Sequence, residues 1–111
     1  MSTDNPNFYL LPHSSQPVDD QTTRTLLGRD DTLMMLTMDF AQGAVGAMHQ
    51  HLHTQATYVL KGSFEFTIAD EKKILREGEA CFMPSNVMHG CICLEAGRLL
   101  DVFTPERKDF L

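Results

Sequence analysis

In the stretch MMLTMDF, Met34, Leu36, Met38 and Phe40 fall at every second position. In FEFTIA, Phe64, Phe66 and Ile68 alternate with Glu65, Thr67 and Ala69. A period of two gathers one set of side chains on one face of an extended strand, whereas a helix would scatter them. ATYVLKGSFEFTIADEKKILREGEA reads as strand, turn, strand, turn, strand. CFMP, HGCICL and RLLDVFT read as three further strands, and AQGAVGA as a turn-bearing connector. No amphipathic helix is evident beyond a final turn in PERKDFL. Many short strands with frequent turn signals predict an all-β barrel or sandwich.

The 111 residues suit one domain, and 42% are hydrophobic, so a core can form. Residues 1–20, rich in Ser, Pro, Asn and Asp, are expected to form a flexible arm whose PNFYLLP docks against a neighbour. Residues 21–111 are expected to be the barrel. A core of this size is modest, so pairing into a homodimer is expected. The formal charge of -6 argues against nucleic-acid binding, which needs a basic face. No run is long enough for a membrane span, and the N-terminus has neither the basic nor the apolar region of a secretory signal. Cys81, Cys91 and Cys93 are odd in number and lack a CxxC, which points to reduced thiols and a cytoplasmic protein.

The chemistry concentrates in HQHLHTQ, residues 49–55. On one straight strand His49 and Gln55 would lie ~20 Å apart and could not share an ion. His49 and His51 face the same side and are expected to close one strand. If LHT turns, Gln55 opens the next strand and joins them, and His89 arrives from a distant strand after a Pro-Ser-Asn turn. His53 then belongs to the loop rather than to the ligand set. Three imidazoles and one amide oxygen suit one divalent ion per chain: Zn, Ni, Fe, Mn or Co. An isolated HxH would more readily be a pair of surface histidines; the distant His89 and Gln55 favour the metal.

These spacings resemble the cupin family. Gly43, His49, His51, Gln55 and Gly62 follow the first cupin motif, with Gln in place of Glu. Gly78, Pro84, Asn86 and His89 follow the second, with Asn86 replacing Gly and Cys93 replacing the final Asn. Asn tolerates the left-handed backbone better than most residues. The resemblance implies a single-domain cupin barrel, a double-stranded β-helix or jelly roll, but not one particular chemistry.

A narrower resemblance runs through RDDTLMML, QATYVLKGSFEF, EKKILREGEA, MHGCICLEAG and LLDVFTPERKDFL. These segments look like the KdgF-type pectin-degradation cupins. That likeness implies a metal-dependent, isomerase-type enzyme. It would open 4,5-unsaturated uronate monosaccharides, from pectin or alginate, to linear 5-keto-4-deoxyuronate. It also implies metal ligands His49, His51, Gln55 and His89, and catalytic roles for Asp101, Phe103 and Arg107.

On spacing alone, Asp101 is open between catalysis and a strand-end residue bonded to backbone. Leu99, Asp101 and Phe103 share one strand face. If that face points inward, desolvation raises the Asp101 pKa. Arg107 alone reads as a solvated tail residue and Phe103 as core. The resemblance makes Asp101 a proton shuttle, Arg107 a fork for the substrate carboxylate and Phe103 a wall of the pocket. Tyr58 reads as a packed barrel residue, and Cys91 and Cys93 as small core fillers. Arg24 reads as a surface residue, with a second anion contact as the alternative. Competing readings are another cupin enzyme, such as a dioxygenase or a sulfoniopropionate lyase, and a non-enzymatic sugar-acid binder. The former usually keep an acid where this chain has Gln55; the latter would not need Asp101.

Overall fold

The computed structural model describes residues 5–111. Its eight strands are β1 (Ser15–Pro17), β2 (Thr22–Arg29), β3 (Met34–Phe40), β4 (Val45–His49), β5 (Thr54–Ile68), β6 (Glu71–Arg76), β7 (Ala80–Met83) and β8 (His89–Thr104). A single 3-10 turn, Lys108–Phe110, follows. Every strand pairing is antiparallel.

Two long strands organise the molecule. The end of β8, from Gly97, pairs with β3 on one side and with the start of β5, Thr54–Lys61, on the other. The start of β8 pairs with β4 and with the end of β5, Ser63–Ile68. One leaf is therefore β1-β2-β3-β8-β5-β7 and the other β4-β8-β5-β6. Phe40, Val59 and Leu99 from the first leaf meet Phe64, Phe66 and Cys93 from the second in one buried cluster. Burying each such large apolar side chain contributes ~1.5–3 kcal/mol.

The breaks expected at LKGS and EAGR are bends, not strand ends. The β5–β8 register shifts three times between Val59 and Phe64. A Cβ on Gly97 would lie 2.1 Å from the Lys61 carbonyl oxygen, and one on Gly62 would lie 2.5 Å from that of Glu95. Gly62 also holds a φ of +81°, which disfavours any side chain. Both strands fold over together because neither carries a side chain where they cross. A hairpin reading of either segment misses this, since the glycine there marks a close approach and not a turn.

The alternating faces fall as expected. Met34 and Leu36 are fully buried, and with Phe103 they form a second core cluster. Leu99, Asp101 and Phe103 are all buried. Cys93 is buried and Cys91 partly so, both packed against the main cluster. Tyr58, in contrast, is exposed on the outer face of β5. Of the expected arm, residues 1–4 lie outside the described residues. Residues 5–14 contain no strand, and β1 pairs with Thr23–Thr25 of β2.

Candidate metal centre and active site

Two turns bring the histidines together. His49 ends β4 and stands directly opposite His89, the first residue of β8. His51 lies beyond the end of β4, in the loop to β5, rather than closing the strand beside His49. The strand ends early because the loop is clasped by the turn before β8. The Asn86 amide donates to the His51 carbonyl at 2.8 Å, and the Ser85 hydroxyl donates to the Leu52 carbonyl at 2.5 Å. Asn86 adopts a φ of 65°, the conformation expected of it. The clasp swings His51 back over β4, so its ring centroid lies 5.2 Å from that of His49 and 4.7 Å from that of His89.

The tautomers follow from the backbone. His49 Nδ1 lies 2.8 Å from the Ala47 carbonyl, His51 Nδ1 2.9 Å from the His53 carbonyl and His89 Nδ1 2.9 Å from the Val87 carbonyl. A carbonyl only accepts, so each neutral ring carries its proton on Nδ1 and a lone pair on Nε2. The ligand atoms of the three rings lie within 4.8 Å of one another. His89 Nε2 is buried and has no hydrogen-bond partner. Burial, ahead of the Arg107 charge, lowers the pKa of His51, and burial likewise lowers that of His89. Three imidazole Nε2 atoms gathered at one place, one of them orphaned, suit a divalent ion.

Gln55 brings an amide oxygen up to the three rings. Its Oε1 lies 3.0 Å from His51 Nε2. Its amide nitrogen donates to Thr57 Oγ1 at 2.9 Å and to Asp101 Oδ1 at 3.2 Å, which fixes the oxygen end toward the histidines. Two electron-pair donors that close call for a cation between them. The residues therefore fit a metal with ligands His49, His51, Gln55 and His89. His53 stays outside the cluster and supplies only its carbonyl to His51.

Asp101 sits behind Gln55. Thr57 and Asp101 are register partners, and the Thr57 hydroxyl donates to Asp101 Oδ1 at 2.5 Å. Both of these side-chain bonds land on Oδ1, and Asp101 lines the adjoining cavity. Burial raises the Asp101 pKa to about 6, although Thr57, Gln55 and Arg107 pull it down. A cavity of about 140 Å³ is lined by His49, Gln55, His89, Asp101, Phe103 and Arg107, among others. Phe103 packs edge-on to His51, with ring centroids 5.9 Å apart. The Arg107 guanidinium lies 5.2 Å from the Phe103 centroid and 4.1 Å from that of Phe110. It donates to Asp109 through Nε at 3.0 Å and Nη2 at 2.8 Å. Arg107 is thus a half-buried residue of the pocket, not a solvated tail residue.

Sequence reasoning passed over Thr57, Asp109 and Phe110. Thr57 shares the parity of Gln55, a signal that could have been used. Phe110 and Asp109 gain their positions from the final turn, which no periodicity marks.

Residues 36–103 match the cupin domain family. The pectin degradation protein KdgF of Dickeya dadantii (strain 3937) is 46% identical over 94 residues, 83% of this chain and 86% of that protein. The chain is a cupin of the KdgF family. KdgF from Halomonas sp. superposes with a TM-score of 0.91 at 35% identity, covering 96% of this chain and 100% of that one. An RmlC-like cupin from Shewanella frigidimarina NCIMB 400 superposes with a TM-score of 0.94 at 32% identity, covering 96% and 97%. As a cupin, the chain carries its histidine cluster on the strands and turns that hold both motifs, with Gln55 where the general motif has Glu.

Proposed function

We propose that this cupin opens 4,5-unsaturated uronate monosaccharides to linear 5-keto-4-deoxyuronates. The observation that carries the reading is the chain of contacts from His51 through Gln55 to Asp101: a buried carboxylate is tethered one amide away from a cluster of three histidines. The relatives' names point to pectin; alginate yields the same class of uronate. His49, His51, Gln55 and His89 would hold a divalent ion. When bound, such an ion supplies Lewis acidity and a template for sugar oxygens.

The chain's own residues do the rest. Ring opening breaks the bond between C1 and the ring oxygen, and O1–H gives up its proton as C1 becomes an aldehyde. The ring oxygen leaves as an enolate oxygen on C5. Ketonisation then adds one proton at C4 and restores a carbonyl at C5. No atom is gained or lost overall. Asp101 accepts the O1 proton and returns one to C4, with Thr57 and Gln55 holding its Oδ1. Arg107 neutralises the substrate carboxylate, for which it must share donors with the exposed Asp109. Phe103 walls the cavity. Placement in the cytoplasm and a homodimer covering the exposed Phe8, Leu10 and Leu11 belong to the same proposal.

The test is ring opening of unsaturated galacturonate followed by NMR, comparing wild type with Asp101→Ala. Wild type should accelerate the reaction over buffer, and the variant should lose ~10²–10⁴-fold of that acceleration while still binding metal. A wild-type rate equal to that in buffer removes the enzyme reading.

A further inference from the structure

Arg24 is not the surface residue its sequence context suggests. It lies within β2, opposite Met38, on the face it shares with Leu26. Met38 and Leu26 pack against the buried clusters, so Arg24 starts from the core side of the strand. Its guanidinium carbon sits 3.6 Å from the centroid of Phe110, the same ring that carries Arg107. Arg29, Arg98 and Arg107 each hold a carboxylate. Among the described residues, Arg24 pairs with none, and its Nε is buried without a hydrogen-bond partner. A buried donor left without an acceptor is destabilising. Burial, ahead of the Arg107 charge, disfavours its positive charge, and the Asp109 carboxylate offsets this only in part.

A second cavity, of about 390 Å³, opens beside this guanidinium. Its size falls within the ~300–1,000 Å³ of small-molecule sites. Leu26, Leu36 and Phe110 give it apolar walls, and Ser14 and Gln16 give it hydroxyl and amide groups. Phe110 also lines the metal-site cavity, so one ring stands between the two. Arg107 already holds Asp109. An anion arriving here meets Arg24 as the cation without a partner.

We propose that Arg24 and this cavity form a binding site for a small hydroxy-carboxylate of the sugar-acid class. The carboxylate seats on Arg24, the C–H face lies on Phe110 and the leucines, and hydroxyls reach Ser14 and Gln16. The choice of a sugar acid rests on the function proposed above; the carboxylate site at Arg24 does not.

The test titrates the metal-loaded protein with D-galacturonate, a saturated acid that cannot be ring-opened, and follows amide shifts by NMR. D-galactose is the neutral control. Galacturonate should bind saturably, with shifts at Gln16 and Leu26, and more tightly than galactose. Arg24→Met should weaken that binding roughly tenfold or more, as loss of a charge-assisted contact does, and Arg24→Lys should keep part of it. Arg24→Met removes an unsatisfied donor, so its unfolding midpoint should not fall below wild type. Equal affinity in Arg24→Met, or shifts confined to the neighbourhood of His49, His51 and His89, overturns the proposal. Arg24-dependent binding in a protein that fails to open unsaturated galacturonate supports this site while overturning the catalytic reading.

Discussion

Replacing Glu106 with Gln should destabilise the protein far more than removal of a typical surface charge. The Glu106 side chain is 1% exposed and that of its partner Arg29 is 23% exposed. Arg29 Nε donates to Oε1 at 2.7 Å and Nη2 donates to Oε2 at 3.1 Å, a bidentate fork. Glutamine keeps the volume but can accept only one of those bonds, and its amide nitrogen turns a donor against the other. Breaking one side of a fully buried ion pair costs ~3–5 kcal/mol, and an exposed pair is worth ~0–1 kcal/mol. Arg29 stays partly hydrated and keeps its bond to Asn5. The loss should therefore fall between, at ~2–3 kcal/mol. For a domain of this size that lowers Tm by about 10–15 °C. Urea unfolding should show a lower midpoint at unchanged slope. Replacing both partners, Arg29→Met with Glu106→Leu, should recover most of the loss, because no uncompensated charge remains. A loss below ~0.5 kcal/mol for Glu106→Gln would place the pair with surface salt bridges and refute the reasoning.

Other expectations follow from contacts already described. Gly97→Ala should be strongly destabilising, the opposite of the same change in a helix interior, since its Cβ would lie 2.1 Å from a backbone oxygen that cannot swing away; a thermal midpoint within a degree or so of wild type would count against the crossing geometry. Burial pushes the thiols of Cys81 and Cys91 up to about 12, so neither should react with iodoacetamide in the native protein at pH 8, while all three cysteines should react once unfolded. The Thr32 hydroxyl, with the Thr32 and Leu33 amides, holds the Asp30 carboxyl below its ordinary value. The folded state thus binds fewer protons than the unfolded one around pH 3–4, so this stabilisation is present above the unfolded pKa and is lost as pH falls through the folded value. Asp30→Asn should flatten the acid limb of a stability–pH profile and leave its slope above pH 6 unchanged.

Much of the site could be read from the chain because its parts are local or periodic. Alternation placed Leu36, Phe64, Leu99 and Phe103 inside and carried Asp101 in with them. The spacing of His49, His51 and Gln55, with His89 after a turn, singled out side chains that the structure brings together, their three rings oriented by Nδ1–carbonyl bonds. What escaped depended on register and on turns that bend the chain without ending a strand. Nothing local in LKGS or EAGR says that two glycines will face each other across a ladder. The Thr57–Asp101 contact needs the β5–β8 register, and the place of Arg24 needs the final turn to set Phe110 against β2. The early end of β4 at His49 likewise follows from a clasp made by Ser85 and Asn86, more than thirty residues later.

The two strands that bend through both leaves also set how the molecule can come apart. Gln55 is the second residue of β5 and His89 the first of β8, yet Asp101 lies on the far half of β8, past the bend. Neither leaf can detach without pulling on a strand that the other leaf holds. Amide exchange along β5 and β8 should therefore report one shared opening free energy rather than two. A metal bound at the histidines would leave through the mouth of the folded barrel, at a rate insensitive to small amounts of urea.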